Sequence, residues 1–551
     1  MKPARITVCD TTLRDGAQAE GVSFTVAGKI KMALRLDAFG VDYIEGGYAG
    51  SNQKDMDFFS AIRKYPLKRS RIVAFGSTRR AGRKVRDDSL LQSLLAAQTG
   101  AVTIFGKAWI LHVRDVLRTT PRENLAMISD TVAYLKDCGR EVLFDAEHFF
   151  DGYKADASYA MAALEAAVRA GADAVVLCDT NGGALPAEIY EATRAVVRAL
   201  RVPVGIHVHN DGGMAVANTV EAVRAGAVHV QGTVNGIGER CGNADLCAVL
   251  PSLEFKMGLQ TVGREALRGL KDLSVFADTI LNRRPDSRAP YVGQSAFSHK
   301  AGPHVDAVNK NPRSFEHVKP EDVGNRRRVL VSELSGGTSV LLKAIELGVG
   351  RAGARKDEMR QVLAALKRME AKGYAFEAAD GSFKILVQKA LKQHRPFFDL
   401  EGFRVIVEKR GKRQRCVSEA TVKVRVKGER EQTAADGDGP VNALDRALRK
   451  ALTRFYPEIN TVSLADFRVS ILDPEEATAA KTRVIIESTD GEETWGTVGV
   501  SGNIIEASWE ALVDSVEYKL FKEEERRKNG GGRKVPAAGD NNGADVRSEG
   551  S

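Results

Sequence analysis

The chain has 551 residues, 43% hydrophobic and 28% charged, an ordinary globular composition in a length that exceeds a single core. A formal charge of +9 is mild at this size, and basic runs such as Arg326-Arg327-Arg328 lack the interleaved aromatics of nucleic-acid binders, so no nucleic-acid partner is expected. No apolar run reaches the roughly 18 residues a membrane span needs, no signal-peptide core precedes the first strand, and the six cysteines form no CxxC pair, which together predict a reduced, cytoplasmic, membrane-free protein.

The first motif comes at once: Ile6 to Cys9 reads as a strand that runs into Asp10-Thr11-Thr12-Leu13-Arg14-Asp15-Gly16, a loop delivering an arginine and two carboxylates to one spot. From there to about residue 257 one theme recurs, a short β-branched run, a polar loop and an amphipathic helix. Strands are expected at 5–10, 41–46, 71–76, 101–106, 141–147, 174–180, 202–209 and 229–235. The helix-to-strand joints repeat as Phe39-Gly40-Val41, Ala170-Gly171-Ala172 and Ala225-Gly226-Ala227, where glycine allows the left-handed helix end. Eight strands alternating with helices predict an α/β chain whose first domain, 1–262, is a (β/α)8 TIM barrel. A doubly wound open sheet is the alternative, but no GxGxxG follows the first strand.

In a barrel, the strand ends carry the chemistry. They offer Asp10, Arg14 and Asp15, then Glu45, then Asp145 and Glu147, then Asp179-Thr180, then His207 and His209. Beyond the barrel, residues 263–400 are expected to form a helical accessory region whose first part, with Ser298-His299-Lys300-Ala301-Gly302-Pro303-His304, reaches back over the barrel mouth. From 401 to 521 an alternation at Val422, Val424 and Val426, a helix face at Val441, Leu444, Leu448, Leu452 and Phe455, and strands at 464–472, 482–488 and 494–500 before a helix from Ile504 predict a small α/β domain. The tail, 522–551, reads as disordered.

His207-Val208-His209 is the sharpest local signal. Residues i and i+2 of a strand point the same way, so both imidazoles face the barrel axis and suit a divalent metal, with Asp15 closing a third position. Zn, Mn, Co and Mg all remain open. The loop Asn235-Gly236-Ile237-Gly238-Glu239-Arg240-Cys241-Gly242-Asn243 after the eighth strand adds glycines that let backbone approach a ligand, with a carboxylate, a fork of donors and an amide oxygen.

DTTLRDG, HVHND and NGIGERCGN, in that order and spacing, resemble the acyl-CoA-condensing metal-dependent barrel family that contains the 2-isopropylmalate, homocitrate and citramalate synthases. GSTRRAG, VTIFGKAW, DAEHFFDGYKA and CDTNGG are most similar to the long citramalate synthases, and SEATVKVRV with GTVGVSGNIIEASW resembles the family's C-terminal effector-binding domain.

The resemblance implies an acyltransferase that condenses acetyl-CoA with pyruvate and water to (R)-citramalate and CoA, the entry to isoleucine. It also implies isoleucine as effector of the C-terminal domain, and a homodimer. It implies metal ligation by Asp15, His207, His209 and Asn243, an electrophilic role for Arg14, a carboxylate-holding hydroxyl on Thr180, and Gly238, Glu239 and Arg240 near acetyl-CoA. Glu147 and His304 match the family's candidates for proton transfer, and Phe315 stands where members usually carry tyrosine. Phe75, Phe105 and Phe144 near strand ends are read as walls that admit the methyl of pyruvate and exclude a larger 2-keto acid. The rivals are 2-isopropylmalate synthase, with leucine as effector, and, more distantly, a metal-dependent lyase or aldolase.

Overall fold

The computed structural model describes residues 5–331, 337–349, 356–409, 411 and 415–529. All eight expected strands form, and they close into a parallel barrel: β1 Thr7–Asp10, β2 Tyr43–Tyr48, β3 Arg71–Ser77, β4 Ala101–Lys107, β5 Glu141–Glu147, β6 Ala174–Asp179, β7 Val204–Val208 and β8 His229–Gly232. Closure is made by β1 against β8, from Thr7 opposite His229 to Asp10 opposite Gly232. The helices between strands bury their apolar stripes on the outside of this sheet, as Met32, Ala33 and Leu36 do on the first helix, Val26–Phe39. That helix ends at Gly40, whose φ of 100° is the left-handed cap expected there.

The chain divides into two compact units, Met1–Ser298 with Pro312–Arg328, and His299–Asn311 with Val329–Ser551. The barrel unit therefore extends past the expected boundary at 262. The physical reason is the helix Leu270–Ile280, whose Leu270, Leu273 and Ala277 are buried in the barrel's own core and which packs against the helix Val26–Phe39 and the turn after β8.

In the second unit, two three-stranded antiparallel sheets occur, 399–408, 417–426 and 429–437 in one and 463–471, 482–489 and 494–501 in the other. Each is followed by a helix, Pro440–Leu452 and Ile504–Asn529, so the order is three strands and a helix, twice. Val422 and Val424 from one sheet, Val484 and Ile486 from the other, and Leu444, Leu448, Leu512 and Val516 from the helices share one core. The last helix runs through 522–529, which corrects the expectation of disorder from 522. Lys519 with Glu523 at 2.7 Å and Lys528 with Glu524 at 2.7 Å are ion pairs four residues apart that carry the helix onward. Residues 530–551 lie outside the described residues. Among the described residues, no helix is long and apolar enough to cross a membrane.

Candidate active site and metal centre

At the C-terminal mouth of the barrel lies a cavity of about 200 Å³ lined by side chains from all eight strands or the loops that follow them, among them Arg14, Asp15, Phe75, Phe105, Glu147, Thr180, His207, His209 and Glu239. Its floor is a cluster in which Asp15, His207 and His209 bring one donor atom each within 4.8 Å of one another, all buried. Asp15 Oδ2 is 3.1 Å from His207 Nε2 and 3.8 Å from His209 Nε2, and the two Nε2 atoms are 3.4 Å apart. Asn243 joins them, its Nδ2 at 3.1 Å from Asp15 Oδ2 and 3.3 Å from His207 Nε2. Asn243 is placed by backbone: its N–H donates to Gly236 O at 3.0 Å, and a side chain at Gly238 would put Cβ 1.8 Å from Asn243 Oδ1, so only glycine fits there.

This donor set fits a divalent cation. Asp15 Oδ1 and Asn243 Oδ1 are buried with no hydrogen-bond partner, which is costly unless something positive satisfies them. Burial pushes the Asp15 carboxyl up, but Arg14, His207 and His209 outweigh it and hold Asp15 well below the usual carboxylate range. Burial, then His207, push His209 down to about 4, so its imidazole is neutral and able to ligate at neutral pH.

Arg14 is fixed on three sides. Its Nε donates to Glu45 Oε2 at 2.5 Å, Nη1 lies 3.4 Å from Asp15 Oδ2, and the guanidinium sits 3.8 Å over the Phe75 ring. Phe75 stacks on Phe105 at 5.3 Å and meets the Tyr48 edge at 5.6 Å, making an aromatic wall beside the arginine. Thr180 Oγ1 accepts the His148 N–H at 2.9 Å, which leaves its own proton free to donate into the cavity.

The HMGL-like family matches residues 5–273, a homocitrate synthase post-HMGL domain-like family residues 291–374, and the LeuA allosteric (dimerisation) domain residues 377–520. The curated (R)-citramalate synthase of Geobacter sulfurreducens is 52% identical over 94% of this chain and 97% of its own length, and that of Aquifex aeolicus 50% identical over 94% and 98%. This chain belongs to the (R)-citramalate synthase family. It is an enzyme, a transferase of the HMGL-like class. A probable 2-isopropylmalate synthase of Methanopyrus kandleri is more distant, 33% identical over 93% of this chain and 98% of its own length. Among solved structures, the HMG-CoA lyase of Bacillus subtilis covers 52% of this chain and 97% of its own at 20% identity and a TM-score of 0.46, too loose a likeness to bear on chemistry.

Within this family member, one expected site residue is not where the sequence suggested. Phe144 is fully buried but does not line the cavity: its ring and Ile128 of the helix Pro121–Asp137 both close on the space beside Gly106. Strand alternation explains this, because Asp145 and Glu147 line the cavity from the other face of β5. Arg240 is a tie between loops, with Nε and Nη2 on Asp211 at 2.7 and 2.9 Å and Nη2 also on Thr180 O at 2.7 Å, while Glu239 beside it lines the cavity. Glu147 is paired with Lys107, its neighbour on β4. His304 is exposed in the first turn of the helix Gly302–Lys310, which belongs to the second unit. Phe315 belongs to the barrel unit and is 49% exposed.

One residue behind the Asp15, His207 and His209 cluster went unnoticed in sequence. Gln231, fully buried on β8, accepts from His207 Nδ1 at 2.9 Å, and its Nε2 donates to Asp145 at 3.2 Å. The only sequence signal for Gln231 is a polar residue within His229-Val230-Gln231-Gly232, where an inward aliphatic would be ordinary.

Proposed function

We propose that this enzyme condenses acetyl-CoA with pyruvate and water to give (R)-citramalate and CoA, in the route from pyruvate to isoleucine. The observation that carries the reading is the small cavity in which an acid-and-imidazole donor cluster, a fixed arginine, a threonine hydroxyl and an aromatic wall face one another. The names of the two relatives near 50% identity support the same reaction.

Asp15, His207, His209 and Asn243 would hold a divalent cation, Mn, Mg, Zn or Co, that polarises the keto group of a bound 2-keto acid. Arg14 presents a fixed positive charge to the oxygen that becomes anionic as the new carbon–carbon bond forms, and its three restraints mean little reorganisation at that moment. Thr180 donates its hydroxyl proton to the keto-acid carboxylate. The methyl carbon of acetyl-CoA must give up a proton, and Glu147, and His304 from the second unit, are the proposed groups for that transfer. Phe105 and Phe75 close the space beyond the keto-acid methyl, with Gly238 and Glu239 in the loop nearest the thioester.

The C-terminal segment is proposed to bind isoleucine and bias the enzyme between two conformations. A homodimer is supported by the outer strands of its sheets, where Ile406, Val407, Leu464, Val469 and Ile471 are each at least 40% exposed. Light scattering should give twice the chain mass.

The test is free-CoA release with pyruvate, 2-ketobutyrate and 2-ketoisovalerate. Pyruvate should exceed 2-ketoisovalerate in kcat/KM by at least about tenfold, as expected for a pocket that rejects added methyl groups. Equal rates on both would sink the assignment of substrate.

A further inference from the structure

The ring of His207 is not held by the metal cluster alone. Its Nδ1 lies 2.9 Å from Gln231 Oε1, and Gln231 Nε2 lies 3.2 Å from Asp145 Oδ1, while Nε2 of the same ring faces Asp15 at 3.1 Å. All four side chains are at least nine-tenths buried. They come from β5, β7, β8 and the loop after β1, so the line Asp145–Gln231–His207–Asp15 crosses the barrel interior from wall to wall.

The chemistry of an amide makes this line directional. A glutamine end has one acceptor side and one donor side, and a ring nitrogen is a donor or an acceptor according to tautomer. Asp145 Oδ1 accepts from the Gln231 NH2 at 3.2 Å, which turns Gln231 Oε1 toward His207. That oxygen can only accept, so Nδ1 of His207 carries a proton; a cation beside Asp15 then takes the lone pair on Nε2, and without one Nε2 donates to Asp15 Oδ2. An apolar residue at 231 would leave Nδ1 without an acceptor, so that Asp15 alone draws the ring proton to Nε2, and would leave Asp145 without its amide partner.

We infer that Gln231, oriented by Asp145, is a positioning residue that sets the tautomer and angle of His207 for ligation. Buried second partners of ligating imidazoles commonly change metal affinity by about 10–100-fold when removed. The inference deepens the metal-site reading and rests on it, but the Nδ1–H it predicts is present in the metal-free protein too, where Nε2 donates to Asp15.

The experiment uses the full-length protein, stripped of metal and labelled with [15N]histidine. The His207 signals are assigned with His207→Gln, and cobalt(II) binding is followed by its visible absorption. Gln231→Met keeps the size of the side chain and loses its hydrogen bonds, whereas Gln231→Glu keeps an acceptor at Nδ1. Met should weaken cobalt binding by about 10–100-fold and, in the metal-free protein, lose the Nδ1–H signal and leave the proton on Nε2, and Glu should stay within about threefold with Nδ1 protonated. Cobalt affinity and tautomer unchanged in Gln231→Met would overturn the inference, and so would Gln231→Glu behaving as badly as Met. If Gln231→Met does not fold, Asp145→Asn, which frees the Gln231 amide to turn over, should still lower the Nδ1–H signal, and an unchanged Nδ1–H signal there would overturn it. If the parent protein takes up no cobalt, the metal reading fails, and the tautomer of the metal-free parent still decides the role of Gln231.

Discussion

Arg14 draws its power from restraint, with Glu45 on its Nε, Asp15 beside Nη1 and Phe75 beneath its plane. Lysine keeps the charge but has neither the planar face nor the fork. Arg14→Lys should lower kcat of CoA release by about 100-fold or more while cobalt affinity changes little, a split that separates transition-state stabilisation from metal binding. Two of the three phenylalanines expected in the pocket should part company. Phe105→Ala opens the aromatic wall and should raise the rate on 2-ketobutyrate relative to pyruvate. Phe144→Ala leaves a hole between β5 and its helix and should cost about 3–5 kcal/mol in urea unfolding with the substrate preference unchanged. Asp10 is fully buried, and burial pushes its carboxyl up to about 7 against the hydrogen bonds from Thr12. The folded protein thus binds a proton more readily than the unfolded chain, so this contribution is complete below about pH 4 and is lost as pH rises through 7. Asp10→Asn should flatten that limb of a stability-versus-pH curve measured by urea unfolding.

At the scale of elements, the hairpin between the strands Thr482–Thr489 and Thr494–Ser501 shows the opposite sign. Asp490 accepts from the Glu492 and Glu493 N–H groups and from Lys519 and Lys522 at 3.0 Å each, and although burial raises it, these partners hold its carboxyl well below the usual range. Its contribution is present above about pH 4 and lost as pH falls through the lowered value. Asp490→Asn should cost about 1–3 kcal/mol at pH 7, read as a drop in the thermal midpoint of the C-terminal transition. The barrel strands were legible because their buried aliphatic runs alternate with helices. Strands 399–408 and 429–437 escaped notice for the converse reason: the first is largely exposed, and the second, Glu-Arg-Glu-Gln-Thr-Ala-Ala-Asp-Gly, has no apolar face to announce it. The same physics divides the site. Asp15, His207 and His209 stand out as charged or ligating types at strand ends, whereas Phe144 differs from a cavity residue only by one step of alternation, and Gln231 only by what lies opposite it across the barrel.

For the whole molecule, chelation followed by add-back is the broadest check of the donor cluster: EDTA should abolish CoA release, and Mn, Co, Zn or Mg should restore it to differing extents. A protein ending near residue 400 should retain condensation and lose inhibition by isoleucine, and inhibition that survives in an active truncation would place the sensor elsewhere. The closure of β1 on β8 has a consequence in time. Asp15 and Arg14 are made within the first moments of synthesis, but Thr11 donates to Gly232 O, and Thr12 receives the Val234 N–H. At about 5–20 residues per second, the nascent chain waits roughly 10–45 s between making the first site loop and making the strand that anchors it. During that interval β1 has an open edge of the kind that pairs with stray chains. The loop that carries Arg14 and Asp15 is thus the earliest written and among the last secured, and conditions that stall translation between Asp15 and Gly232 should be those under which this protein aggregates.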